Sequence, residues 1–241
     1  DTARTEWIAG VSHDIRTPLS LIMGYADELA TQETAQKAVQ QKAEVIRTQS
    51  LTIKKLIEDL NLTSKLSYHM QPLRSERYVP AVWLRRTIAL MHDGRAIPED
   101  CELELAIEPK LEKLFISGDI QLLTRALQNL IGNCVRHNPG GCRIHVKAQT
   151  TETGFCLCIK DNGKGVPEKV QRILLSDEET DNTKPIPDRE AHSPTGPSDR
   201  APHVMGLRVA KQIAIAHGGR LWFADKGREV WLSVETLPQD S

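Results

Sequence analysis

Histidine and aspartate stand side by side at positions 13 and 14, inside the stretch SHDIRTPL (residues 12–19). An imidazole beside a carboxylate suits nucleophilic and general-base chemistry. The acid accepts a hydrogen bond from one ring nitrogen and leaves the other unprotonated. Thr17 follows one helical turn after His13 on the same face, near enough to position a water. Pro18 removes an N–H from the helix ladder and frees a carbonyl one turn back, which bends a helix. A helix gains no stability from that proline, so its place beside the cluster points to function.

Three more stretches carry chemistry-bearing types. QNLIGNCVRHN (128–138) puts Asn129, Asn133 and His137 on one helical stripe with Arg136 beside them, while Leu123, Ala126, Leu127 and Leu130 face the core. Taken alone, such a stripe is a wet helix face. DNGKG (161–165) follows an apparent strand and, taken alone, is a common turn sequence. VMGLRVAKQIAIAHGGRL (204–221) contains an apolar helix that ends at Gly218-Gly219, as helix C-termini do. The five cysteines (Cys101, Cys134, Cys142, Cys156, Cys158) form no CxxC pair. They read as small apolar core residues in a reducing compartment, and they assemble no zinc ligand set.

The elements that must hold these residues fall into two regions. The 241 residues are 39% apolar and 26% charged with net charge −1, room for one large domain or two modest ones. Near-neutral charge argues against nucleic acid or an acidic membrane surface as partner. No run of eighteen apolar residues is present to span a bilayer. The chain begins at Asp1, shows no signal peptide, and reads as a fragment of something longer. Ile8, Ile15, Ile22 and Leu29 recur every seven residues, and after the polar break TQET (31–34) so do Val39, Ile46, Ile53 and Leu60, with Leu56 reinforcing them. The spacing predicts two long helices in an antiparallel hairpin. Such a hairpin cannot cover its own apolar stripe, which predicts a homodimer joined in a four-helix bundle. From about Tyr78 the texture changes to a helix (81–91), a strand (101–108), a helix capped by Asp119, two strands around TETG, a helix, and the paired RLWFAD and EVWLSVE. That is an α+β sandwich. The Pro-, Asp- and Ser-rich stretch between Leu175 and His203 reads as a mobile lid.

SHDIRTPLSLIMGYADEL resembles the phospho-acceptor box of bacterial sensor histidine kinases, in their dimerisation and histidine-phosphotransfer domain. The N-L-x-x-N of 129–133 resembles the asparagine box of the same family's ATP-binding domain, DNGKG its first glycine box, and Gly206-Leu207 with His217-Gly218-Gly219 its second. The resemblance implies ATP and Mg²⁺ as cofactors. It makes His13 the phospho-acceptor and Asp14 its general base or orienter, with Thr17 placing water for a reverse phosphatase reaction. It implies that Asn133 holds the magnesium with Asn129 nearby, and that Arg136 and His137 approach phosphate or base. Asp161 would accept from the adenine amino group, with Gly163 and Gly165 giving the backbone close access to the purine and Val166 as an apolar wall. Gly206 and Leu207 would complete the site, and Lys184, Arg200 and His203 are lid cations.

The implied organisation is a phosphotransfer domain over 1–68, a hinge at 69–77, and a catalytic domain over 78–241 with its lid at about 167–204. The implied reaction is autophosphorylation of His13, then transfer to an aspartate on a response-regulator receiver domain. These residues would lie on the cytoplasmic side without membrane contact of their own, the whole protein being membrane-anchored. Two departures stand out: Val204 replaces the first glycine of the second glycine box, and 167–203 contains no phenylalanine. They motivate an alternative, a degenerate kinase acting mainly as phosphatase or scaffold. A gyrase- or chaperone-type ATPase would share the nucleotide fold but would carry no H-D-x-R-T-P helix.

Overall fold

A computed structural model of the chain describes residues 15, 18–26, 28–29, 36–175 and 204–236. Residues 18–26 and 28–29 are helical (α1), and α2 runs from Gln36 to Ser67 without interruption. Glu28 pairs with Lys42 at 2.8 Å, and Ile15 packs by Leu56, so the two helices run antiparallel as the heptad spacing predicts. The seam is only partly used within one chain. Leu56 is buried, Ile46, Ile53 and Leu60 are half-buried, and Val39 is exposed. Toward its C-terminus α2 changes allegiance, since Leu62 and Leu66 are buried in the core of the second region.

That region is built from β1 (Glu76–Tyr78), α3 (Pro80–Asp93), β2 (Cys101–Ile107), β3 (Ile116–Gly118), α4 (Ile120–His137), β4 (Cys142–Thr150), β5 (Gly154–Asp161), α5 (Glu168–Leu175), α6 (Val204–Ala216), β6 (Leu221–Ala224) and β7 (Glu229–Glu235). Five strands form one sheet in the order β2-β4-β5-β7-β6, with β2 and β4 parallel and the other pairs antiparallel. Along β4, Cys142, Ile144, Val146 and Ala148 are buried and the residues between them exposed. One face of the sheet is therefore packed and the other wet, the alternation expected of a two-layer sandwich. Helices cover the packed face, where Phe155 meets Trp83 edge-to-face. On the wet face Trp222 and Trp231 stack at 5.7 Å, with Arg220 over Trp222.

Local chemistry explains the boundaries. Pro80 opens α3 at a position where its missing N–H costs nothing. Asp119 caps α4 as expected, its Oδ1 accepting from the Leu122 N–H at 3.0 Å. Its second oxygen accepts from the Arg74 N–H at 3.0 Å, which ties down the stretch read from sequence as a hinge. That stretch also ends in β1, paired antiparallel to β3. The segment read as lid from about 167 begins with α5 instead. Val170 and Leu174, one turn apart, bury against the core and make a helix of what polar neighbours had made look like loop.

His217 is part of the scaffold. Its Nε2 accepts from the Asp119 N–H (3.0 Å), and its Nδ1 sits 2.8 Å from the Ile213 carbonyl, so the proton belongs on Nδ1. Gly218 then takes φ +69, the left-handed backbone that ends many helices.

Candidate functional site

Helix α4 carries the site. Leu123, Ala126, Leu127, Leu130 and Ile131 anchor it in the core. The sequence pattern alone puts Asn129 and Asn133 on a wet face, yet they are 6% and 9% exposed. The first turn of α6 lies across them. A Cβ at Gly206 would stand 3.5 Å from Asn133 Oδ1 and 3.7 Å from Asn129 Cβ, ordinary contact distances that place Gly206 directly over the two amides. Asn133 Oδ1 accepts from Arg136 Nη1 at 3.2 Å. Asn129 Nδ2 is buried with no hydrogen-bond partner among the described residues. An unpaired buried amide donor costs about 1–3 kcal/mol, and a ligand oxygen would relieve it.

A cleft of about 180 Å³ opens beside them, lined by Asn129, Arg136, Met205 and Gly206 on one side and by Thr52, Lys55, Leu56 and Asp59 of α2 on the other. Arg136 and Lys55 make it electropositive, suited to phosphate. Its α2 wall is fixed by Arg125, whose Nη2 and Nε donate to Asp59 Oδ1 at 2.6 and 3.2 Å. Met205 completes the contact, buried against Leu56 with Ile15 and Leu60 around it.

A second polar cluster lies at the far end of α4, eight residues on and roughly 12 Å along the axis at 1.5 Å per residue. Asp161 ends β5, and its Oδ1 accepts from the Gly163 N–H at 2.7 Å, closing a side-chain-stabilised turn. A Cβ on Gly163 would come within 2.5 Å of Asn138 Oδ1 and 2.8 Å of Asp161 Oδ1, so a larger residue would displace these two polar groups. Gly165 is held by the backbone around it. Its φ is +77, and a Cβ there would strike Gly227 and Arg228 at 2.8 Å. Val166 lies in the same contact, its N–H donating to the Gly227 carbonyl at 2.8 Å. Desolvation at the end of α4, and then the neighbouring Arg136 guanidinium, lower the His137 pKa, so its ring is neutral at pH 7.

The structure thus brings Asn129, Asn133, Arg136 and Gly206 together, and places Asp161, Gly163 and His137 at the other end of the same helix. Leu207 is 5% exposed and packs in the core behind Gly206. His13, Asp14, Thr17, Lys184, Arg200 and His203 lie outside the described residues. Sequence reading missed Thr52, Lys55, Asp59 and Arg125, because their relevance depends on α2 lying against α6 and so facing α4 across the cleft. It also missed Asn138, whose Nδ2 donates to the Cys134 carbonyl at 2.7 Å while its side chain abuts Gly163. An asparagine just past a helix end was the available signal.

The family described as "Histidine kinase-, DNA gyrase B-, and HSP90-like ATPase" matches residues 118–239, just over half of the chain, and the family "His Kinase A (phospho-acceptor) domain" matches residues 3–68. The chain belongs to the sensor histidine kinase family. Among relatives of this kinase chain is the sensor histidine kinase YvrG of Bacillus subtilis (strain 168), 32% identical over 221 residues, which cover 90% of this chain and 35% of YvrG. The chain therefore spans about a third of that relative's length. The histidine kinase AdeS of Acinetobacter baumannii shares the fold at a TM-score of 0.65 and 16% identity, over 94% of this chain and 98% of AdeS. The structure of histidine kinase ThkA in complex with the response regulator protein TrrA shares it at 0.58 and 17% identity, over 96% of this chain and 60% of that one. Among the described residues of this histidine kinase no helix is long and apolar enough to cross a membrane.

Proposed function

We propose that this kinase chain transfers the γ-phosphoryl group of ATP to His13 and then to an aspartate on a response-regulator receiver domain. The observation that carries the reading is the electropositive cleft in which Asn129, Arg136 and Gly206 of the ATPase region face Thr52 and Lys55 of the acceptor-bearing hairpin. Phosphoryl transfer is mainly positioning and charge neutralisation, and a cleft shared by both regions is suited to both.

The residues fit a nucleotide. Asn129 Nδ2 is a waiting donor for a phosphate oxygen, and Asp161 with Gly163 offers an acceptor and open backbone for a purine. No three His, Cys, Asp or Glu side chains gather as a metal site among the described residues. Mg²⁺ would accordingly arrive with the nucleotide, taking the Asn133 amide oxygen beside phosphate oxygens and water, and would neutralise charge on the transferring group. Arg136, which holds that amide oxygen, would turn to the phosphates. His137 would approach phosphate or base, Gly165 shapes the purine turn from below, and Leu207 supports Gly206 from the core.

In the transfer step the bond from the γ-phosphorus to the β–γ bridging oxygen breaks and a bond to a His13 ring nitrogen forms. ADP leaves with the electron pair, and Asp14 takes or steadies the proton on the other nitrogen. Thr17 positions water for the reverse reaction on the phosphorylated regulator. The hairpin over 1–68 pairs with a second copy as a four-helix bundle, 78–241 forms the catalytic domain joined through 69–77, and both lie on the cytoplasmic side of an anchored protein. The part of the lid stretch that follows α5, 176–203, lies outside the described residues. TrrA bound to ThkA is the precedent for the regulator partner. Val204 lies in the first turn of α6, in helical backbone open to a β-branched residue, so its departure from glycine gives no support to the degenerate-kinase reading.

The test is incubation with γ-labelled ATP and Mg²⁺ beside His13→Ala. Label that is lost in acid, survives base and is missing from the variant supports the reading. A folded wild-type protein that takes no label overturns it.

A further inference from the structure

We propose that Cys101 and Cys142 are a redox-active dithiol that closes reversibly to a disulfide across the base of the sheet. The two residues open the parallel strands β2 and β4 and are register partners. Their Sγ atoms lie 2.8 Å apart. Neighbouring strands run about 4.7–4.9 Å apart, inside the roughly 4.4–6.8 Å Cα separation that a disulfide requires. The bond can therefore form without moving the sheet.

The other cysteines are placed differently. Cys156 and Cys158 share a face of β5, but two strand residues separate their Cα atoms by about 6.8 Å with parallel Cβ directions, which is poor bridging geometry. Cys134 is engaged with the Leu130 carbonyl at 3.4 Å. A separation of 41 positions in sequence hides the pairing that β-register brings about.

Access comes from position. Each residue is the first of its strand, β2 is an edge strand, and the connections before them end at Asp100 and Gly141. Fraying of two strand ends exposes both sulfurs, a far smaller opening than global unfolding. In the closed state burial, and then the hydrogen bond with Cys101, push the Cys142 thiol up to about 12, so oxidation follows the slow rhythm of fraying. The oxidant is a low-molecular-weight disulfide. The Cys142 thiolate attacks one of its sulfurs and expels a thiolate. Cys101 then attacks Cys142 Sγ and expels the second. Two protein thiols lose two electrons and two protons, and the small disulfide becomes two thiols.

The tie would fasten the loop that underlies the DNGKG turn. The Arg143 N–H donates to Asn162 Oδ1 at 2.9 Å, and Asn138 abuts Gly163. This link to nucleotide binding rests on the function proposed above; the disulfide does not.

The experiment treats the reduced, folded chain with glutathione disulfide, then counts free thiols in denaturant and maps cross-linked peptides under non-reducing conditions. The five free thiols should fall by two, with Cys101 joined to Cys142 and both restored by dithiothreitol. The oxidised wild type should unfold at higher temperature, because the bridge closes a long loop in the unfolded chain. Cys142→Ala should lose no thiol pair, and Cys101→Ala replaces it if it does not fold. Five thiols surviving treatment, or bonds only between other cysteines or between chains, overturn the proposal. A chain that oxidises as expected but takes no label from ATP leaves the dithiol intact and removes only the kinase reading.

Discussion

The hairpin and the sandwich use apolar residues in opposite ways. In the sandwich Leu84, Ile131, Phe155 and Val209 are fully buried within one chain, while in the hairpin Leu19, Met23, Leu51 and Ile57 stand in solvent. One region completes its core alone and the other leaves large apolar side chains exposed. The exception is the last third of α2, where Asp59, Leu62 and Leu66 are buried against the sandwich. A helix can thus serve two purposes along its length, packing on the sandwich at one end and leaving apolar side chains exposed along the rest.

Truncation at the sandwich core should give the largest effect. Phe155→Ala removes a fully buried ring stacked edge-on against Trp83 and should cost about 3–5 kcal/mol by urea unfolding. A loss below 1 kcal/mol would show that the core is far looser than described. Next comes the junction. Arg125→Ala strands the buried Asp59 carboxylate and should cost about 2–4 kcal/mol, toward the lower end because Arg125 is itself partly exposed. Adding Asp59→Leu should restore most of that loss, and a double variant no better than the single would separate the two residues.

The third effect depends on pH. Burial holds the folded His217 pKa below its ordinary 6.5. Between the two values the unfolded chain binds the extra proton and the folded chain does not. Stability is therefore full above about pH 6.5 and declines as pH falls below it. His137 is shifted the same way, so His217→Gln should flatten the slope of unfolding free energy between pH 7.5 and 5.5 without abolishing it. An unchanged slope would remove His217 from the account. The smallest effect on the single chain should come from the exposed apolar side chains of the hairpin. Leu51→Gln, at a residue 52% exposed, should alter intrachain stability by less than about 0.5 kcal/mol. It should nevertheless weaken self-association in sedimentation runs over a dilution series, and association that persists undiminished would move the dimer contact elsewhere.

Much of this was legible in the residues themselves. Heptad spacing showed the hairpin, alternation in CELELAIE showed a strand, and Asp119 announced the start of α4, because each is a local rule acting on neighbours. Sequence reading went astray where distant contacts decide. The asparagine stripe looked solvated until α6 covered it, and EKVQRILL looked like loop until Val170 and Leu174 found the core. The cleft was half legible: its α4 wall carries a motif, whereas Thr52 and Lys55 are ordinary polar residues made relevant by an approach no local pattern records. The Cys101–Cys142 contact is of the same kind, created by strand register.

The Asp59–Arg125 pair has a kinetic consequence. Any rearrangement that slides α2 off the sandwich must carry the buried Asp59 carboxylate into water as it leaves Arg125, since stranding that carboxylate unpaired is costly. Intermediate positions of the helix are then sparsely populated. A graded push along α2 would then meet a threshold set by the parting of this one pair.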